Sequence, residues 1–152
     1  IRKLKEKIPN IALTSDVIVG FPTETNEDFE DTVKLVEEVG FSGLFTFIYS
    51  PRKSTKAAEM PDPYTHEEKV KWFKELTDLQ ESIAGVRTAS MKGKTFRVLA
   101  EGNGKNDPSI VLGRTSGNVI IEFKSEEDVI GKFCNVKVTD PLTWIVRGEL
   151  VK

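Results

Sequence analysis

The spacing of apolar residues changes its period once, near residue 90. That change limits the chain to an α/β part followed by an all-β part. Ile11-Ala12-Leu13-Thr14-Ser15-Asp16-Val17-Ile18-Val19 is short, apolar on both faces and stopped by Gly20-Phe21-Pro22, the pattern of a strand in a parallel sheet. Thr25 with Asp28 three residues on, and acids in the first turn, predicts a helix. Its apolar stripe is Phe29, Val33, Leu35, Val36 and Val39, and Gly40 ends it. Leu44–Tyr49 reads as a second strand, closed by Ser50-Pro51 and separated from the first by the length of a right-handed βαβ unit. A polar loop holding Pro51, Pro61 and Pro63 leads to a second capping box, Thr65 with Glu68, and a long helix. Val70, Phe73, Leu76, Leu79 (or Gln80), Ile83 and Val86 mark its expected buried face, with fraying over 87–90.

After residue 90 the period becomes two. Strands are expected at Thr95–Glu101, Ile110–Thr115, Val119–Phe123, Phe133–Thr139 and Thr143–Val151, separated by Gly, Asn, Asp and Pro. Five short strands in so few residues close most economically as a small antiparallel barrel of OB-like size. The expected domains are therefore 1–90 and 91–152. Charge divides along the same line: 12 Lys and Arg against 16 Asp and Glu over 1–90, but 10 against 8 over 91–152. Two parallel strands and two helices leave part of an apolar sheet uncovered. Residues 1–90 thus read as the last part of a larger α/β barrel or sheet, or as a half that oligomerises or swaps. A first residue of Ile rather than Met points the same way, to a processed or excised chain.

One cysteine, Cys134, and one histidine, His66, exclude an internal disulfide framework and a multi-cysteine metal or cluster site within these residues. Cys134 reads as a buried small hydrophobe, His66 as a surface residue, and Glu126-Glu127-Asp128 as a solvated loop. No apolar run approaches the ~20 residues that cross a bilayer, so no membrane partner is expected, and the setting reads as cytoplasmic. Gly20 and Glu24, at the C-terminal end of a parallel strand, occupy the place where α/β folds bind ligands, although Gly20-Phe21-Pro22 also reads simply as a tight turn. Arg52 follows the second strand and suits a carboxylate or phosphate, or is a solvent-exposed loop residue. In the C-terminal part, Lys92, Lys94, Arg97, Arg114, Lys132, Lys137 and Arg147 would follow an RNA backbone if they shared a face. Phe96, Phe123, Phe133 and Trp144 are interleaved with them as stacking surfaces or core.

The segments TSDVIVGFPTETNEDFEDT, FTFIYSPRKSTKAAEM, GRTSGNVIIEF, IGKFCNVKVTD and TWIVRGELV, in this order, strongly resemble the C-terminal half of the radical S-adenosylmethionine (SAM) methylthiotransferases. Within that family they look most like the tRNA 2-methylthio-N6-isopentenyladenosine synthases. The resemblance implies the last strands and helices of a radical SAM (β/α) barrel over 1–90 and a TRAM domain, a small RNA-binding β-barrel, over 91–152. It implies SAM-pocket walls from Ile18, Val19, Gly20 and Phe21, with Phe47 and Tyr49 from the next strand; Glu24 and Arg52 join them as candidate ligand contacts. It also implies tRNA as partner and, in a complete enzyme, SAM and two 4Fe-4S clusters that place a methylthio group on the adenine C2. The cysteines for those clusters are absent from these residues, so this chain alone is expected to be inactive and to hold no catalytic or metal-ligating residue. Thr23, and Lys53-Ser54, depart from the Gly and Pro-Gly common in the family. A stand-alone RNA-binding module, or a methylthiotransferase for a ribosomal protein or another tRNA adenosine, are the alternatives.

Overall fold

The computed structural model describes residues 1–151. In chain order the elements are α1 (Arg2–Lys7), β1 (Thr14–Val19), α2 (Asn26–Val39), β2 (Gly43–Ile48), a 3-10 turn (Lys56–Glu59), α3 (His66–Ala89), β3 (Thr95–Asn103), β4 (Ile110–Thr115), β5 (Ile120–Lys124), β6 (Phe133–Pro141) and β7 (Ile145–Leu150). They form two compact units, residues 13–83 and residues 1–12 with 84–152.

In the first unit β1 and β2 pair in parallel, Asp16 opposite Phe45 and Ile18 opposite Phe47. One sheet face packs Val17, Val19, Leu44 and Ile48 against Phe29, Val36, Val39, Trp72 and Leu76 of the helices. Trp72 stacks on Phe29 at 4.9 Å between ring centroids. The other face stays open, with Ile18, Phe45 and Phe47 each more than half exposed. Both helices start on reciprocal caps. The Thr25 N–H donates to Asp28 Oδ2 at 2.9 Å and the Thr65 N–H to Glu68 Oε2 at 2.8 Å, with the hydroxyls receiving the third amide of each helix.

Those backbone hydrogen bonds, followed by the threonine hydroxyls, hold Asp28 and Glu68 below the usual carboxylate range. A folded-state pKa below the unfolded one gives stability that is present above the ordinary value and lost as pH falls through the lower, folded one. Thr65→Ala removes the hydroxyl but keeps the amide, so it should move the Glu68 titration, followed by carboxyl carbon NMR shifts, only partway back toward the ordinary range. An unmoved titration would contradict the hydroxyl's share in the cap.

The second unit is a closed five-stranded barrel in the order β3-β4-β5-β7-β6. Val98, Ala100, Val111, Ile121, Phe123, Val136, Val138 and Val146 fill it, and Cys134 is buried among them. Alternation along β6 holds from Phe133 to Thr139, Cys134, Val136 and Val138 inward and Phe133, Asn135, Lys137 and Thr139 outward, and breaks at Asp140 where the pairing with β7 shifts register. The barrel is not purely antiparallel, as the expected count of strands alone suggested. β5 and β7 run parallel through Ile120, Ile121 and Glu122, because β7 follows β6 back and fills the gap between β6 and β5.

Other expectations are corrected. The first strand begins at Thr14, not Ile11, and the last at Ile145, not Thr143. Leu35 is 52% exposed, off the α2 stripe. On α3, Val70 and Val86 face outward, and the buried line runs Lys69, Trp72, Leu76, Gln80, Ala84 and Thr88. The helix runs to Ala89 in place of the expected fraying over 87–90, and the Thr88 hydroxyl donates to Ala84 O at 3.1 Å. The short α1 and the 3-10 turn carry too little periodicity to be read from sequence.

Candidate functional site

At the C-terminal ends of β1 and β2 the chain turns sharply twice. Gly20 takes φ +72°, a left-handed conformation that disfavours side chains, and a Cβ there would lie 2.5 Å from Lys69 Cγ and Cδ. The missing side chain thus makes room for the Lys69 stem to pass under the turn. Glu24 closes the loop upon itself, its Oε2 accepting the N–H groups of Gly20 at 2.5 Å and Phe21 at 3.3 Å. The Tyr49 N–H donates to the Val19 carbonyl at 2.9 Å, and Phe21 meets the Tyr49 ring edge-on at 5.3 Å. Lys69, nearly fully buried, pairs with Asp62 and lies 5.4 Å from the Tyr49 ring centroid. The Tyr49 hydroxyl is buried and receives no hydrogen bond among the described residues.

Of the residues singled out from sequence, Gly20, Phe21, Glu24 and Tyr49 come together, while Ile18 and Phe47 sit side by side on the open sheet face. Val19 turns the opposite way, fully buried against the helices, so only its backbone reaches the strand end. Arg52 is exposed, and its carbonyl accepts from the Thr55 hydroxyl. Ser54 stands at φ +66°, a conformation suited to glycine. Sequence reading missed Lys69 and Asp62. The available signal was a lysine falling on the three-to-four spacing of Trp72, Leu76 and Gln80.

The cations of the barrel divide into two groups. Arg114 is held by Glu101, Nε to Oε2 at 2.9 Å, and by Asn118 at 3.0 Å. Arg147 lies 3.6 Å from Glu122 and 3.8 Å from Asp140. It lines a groove of about 1040 Å³ in which Glu122, Glu126, Glu127 and Glu149 outnumber it and Lys124. An acidic groove repels a phosphate backbone, so Arg147 does not join a basic face.

The outward row of β6 borders this groove through Phe133, Asn135 and Thr139, and the charge changes toward β3. Arg97 pairs across from Asn135 and Thr95 from Lys137, so Arg97 and Lys137 project from one surface. Lys92 and Lys94 occupy the turn at the Lys137 end, where the Val138 N–H donates to Lys94 O at 2.9 Å. None of these four forms an ion pair among the described residues; Glu149 is the cross-strand neighbour of Lys137. Lys132 precedes Phe133 at the other end and donates to Asp128 O at 2.8 Å. Among the four aromatics, Phe123 is buried and Phe96 packs on the core, leaving Phe133 and Trp144 exposed at 60% and 55%.

Among the described residues no group of three or more His, Cys, Asp or Glu is placed to hold a metal ion, and no helix is long and apolar enough to cross a membrane. Residues 89–151 match the TRAM domain family. Over all 152 residues the chain is 45% identical to a protein of Bacillus thuringiensis (strain Al Hakam) named tRNA-2-methylthio-N(6)-dimethylallyladenosine synthase. A protein of the same name from Geobacillus kaustophilus (strain HTA426) is 44% identical over 151 residues. The alignments cover 100% and 99% of this chain but 30% and 28% of those relatives, so the chain spans about three-tenths of the length of the curated relatives it matches.

Proposed function

We propose that this chain, which carries a TRAM domain at residues 89–151 and aligns throughout with tRNA-2-methylthio-N(6)-dimethylallyladenosine synthases, is the tRNA-gripping section of such an enzyme. Residues 91–152 bind tRNA, and residues 1–90 form part of a radical SAM (β/α) barrel. The complete enzyme, in this reading, adds a methylthio group to C2 of isopentenyladenosine beside the anticodon. The observation that carries the reading is the alignment over the whole of this chain, joined to a barrel face from which Arg97 and Lys137 project together without an ion pair among the described residues.

The strand-end geometry fits a flat cofactor in part. Ile18 and Phe47 offer adjacent apolar surface on the open sheet face, and the Gly20-Phe21 backbone borders it. Glu24 is already engaged by two amides. SAM, when bound, supplies the methyl group and the radical precursor; these residues would cover its adenine. The 4Fe-4S clusters do not fit here, because Cys134 is the chain's only cysteine and lies in the barrel core. Their ligands belong to other residues of the complete enzyme.

Fluorescence anisotropy of labelled tRNA tests the binding half of this proposal. With about four phosphate contacts, the association constant should fall about a hundredfold between 50 and 200 mM salt. Absence of binding at low salt, or binding indifferent to salt, would refute it.

A further inference from the structure

We propose that Arg97 and Phe133 form a stacking seat for one unpaired base of single-stranded RNA. The proposal rests on the RNA-binding reading above and says which form of RNA the barrel takes and where. Phe133 projects from the outward row of β6 and is 60% exposed, so its ring is not part of the core. The Arg97 guanidinium carbon stands 3.9 Å from the centre of that ring, a stacked cation–π pair. No carboxylate of the described residues pairs with Arg97, in contrast to Arg114 and Arg147.

An exposed aromatic ring braced by a planar cation presents a flat, positively charged surface. A nucleobase completes such a stack, and every base has a face to offer. Bases inside a duplex are already stacked on their neighbours, so the seat selects unpaired nucleotides. The charge around the ring is mixed: Phe133 also lines the groove that holds Glu122, Glu126, Glu127 and Glu149, so a strand would reach it from the β3 side, where Arg97 stands. Lys132 lies beside Phe133, and Lys137, four residues along β6, is about 13 Å away at the rise of a strand. The exposed Trp144 has no such partner among the described residues and lies on the loop before β7.

The test uses the whole chain, a single-stranded RNA oligonucleotide carrying 2-aminopurine, and a blunt-ended, fully paired RNA duplex. Phe133→Ala should weaken the single strand about tenfold, abolish the quenching of 2-aminopurine and leave duplex affinity unchanged. Phe133→Leu, which keeps an apolar side chain of similar size, should behave as the alanine variant does, separating loss of the ring from loss of fold. Lys137→Gln and Lys94→Gln should lower the salt dependence for both RNAs. If the lysine variants weaken binding while both Phe133 variants bind the single strand as tightly as wild type, the stacking seat is wrong and RNA binding stands. If wild type binds neither RNA at low salt, the RNA-binding reading itself has failed.

Discussion

Alanine at Gly148 is expected to destabilise the barrel by about 3 kcal/mol and lower its thermal midpoint by about 15 °C. A Cβ at this position would lie 2.6 Å from the backbone carbonyl oxygen of Lys137 and 2.6 Å from Val136 Cγ1. The second contact could be relieved by turning a side chain. The first cannot, because Lys137 is fixed by ladder pairing with both Thr95 and Glu149. Gly102 supplies the control: it lies in β3 at an irregularity in the β3–β4 pairing, with nothing within 4 Å of its missing Cβ. Gly102→Ala should stay within about 0.5 kcal/mol of wild type. Thermal unfolding followed by circular dichroism separates the two, and equal shifts would show that steric crowding at β7 is not what demands glycine.

Asp62→Ala is expected to cost about 3 kcal/mol in the 13–83 unit, near the lower end for a broken buried pair because Asp62 is itself partly exposed. Removing this carboxylate strands the Lys69 ammonium in a site where its side chain is 5% exposed and its other near neighbour is the Tyr49 ring. Lys69→Met removes the charge, keeps the stem that passes under Gly20, and should change stability by less than about 1 kcal/mol. Adding Asp62→Ala to Lys69→Met should then do little more. Trp72, stacked on Phe29 and tilted against Tyr64, reports unfolding of this unit by its fluorescence, best followed in a Trp144→Phe background. A Lys69→Met variant as damaged as Asp62→Ala would assign the cost to lost packing instead of stranded charge.

Features set by neighbours in sequence were legible. The capping boxes of Thr25 and Thr65, the stop at Gly40 and the alternation of Cys134, Val136 and Val138 each follow from residues within a few positions. Contacts between distant residues were not. Arg114 and Glu101 are thirteen residues apart, and only the β3–β4 register brings them together. The same holds for Arg147 with Glu122, which meet through the parallel pairing of β5 and β7. A periodicity of two says that a strand exists but not which way its neighbour runs. Seven candidate RNA contacts were therefore indistinguishable in sequence, and the fold sorts them by which carboxylates it places beside them. On α3 the middle of the expected face was right, since Phe73, Leu76, Leu79, Gln80 and Ile83 turn to the core, but its ends were not: Val70 and Val86 face outward while Lys69 and Trp72 are buried.

The direction of β5 against β7 has a consequence for how the barrel is made. Until Ile145–Leu150 has left the ribosome, the earlier strands can form only an open sheet, β6-β3-β4-β5, with β6 and β5 as its two raw margins. Hairpin zippering alone cannot finish the cylinder; the final strand has to slot between two margins already in place. For that interval the nascent protein offers both margins to any passing strand, a window in which chaperone cover or rapid elongation protects it most.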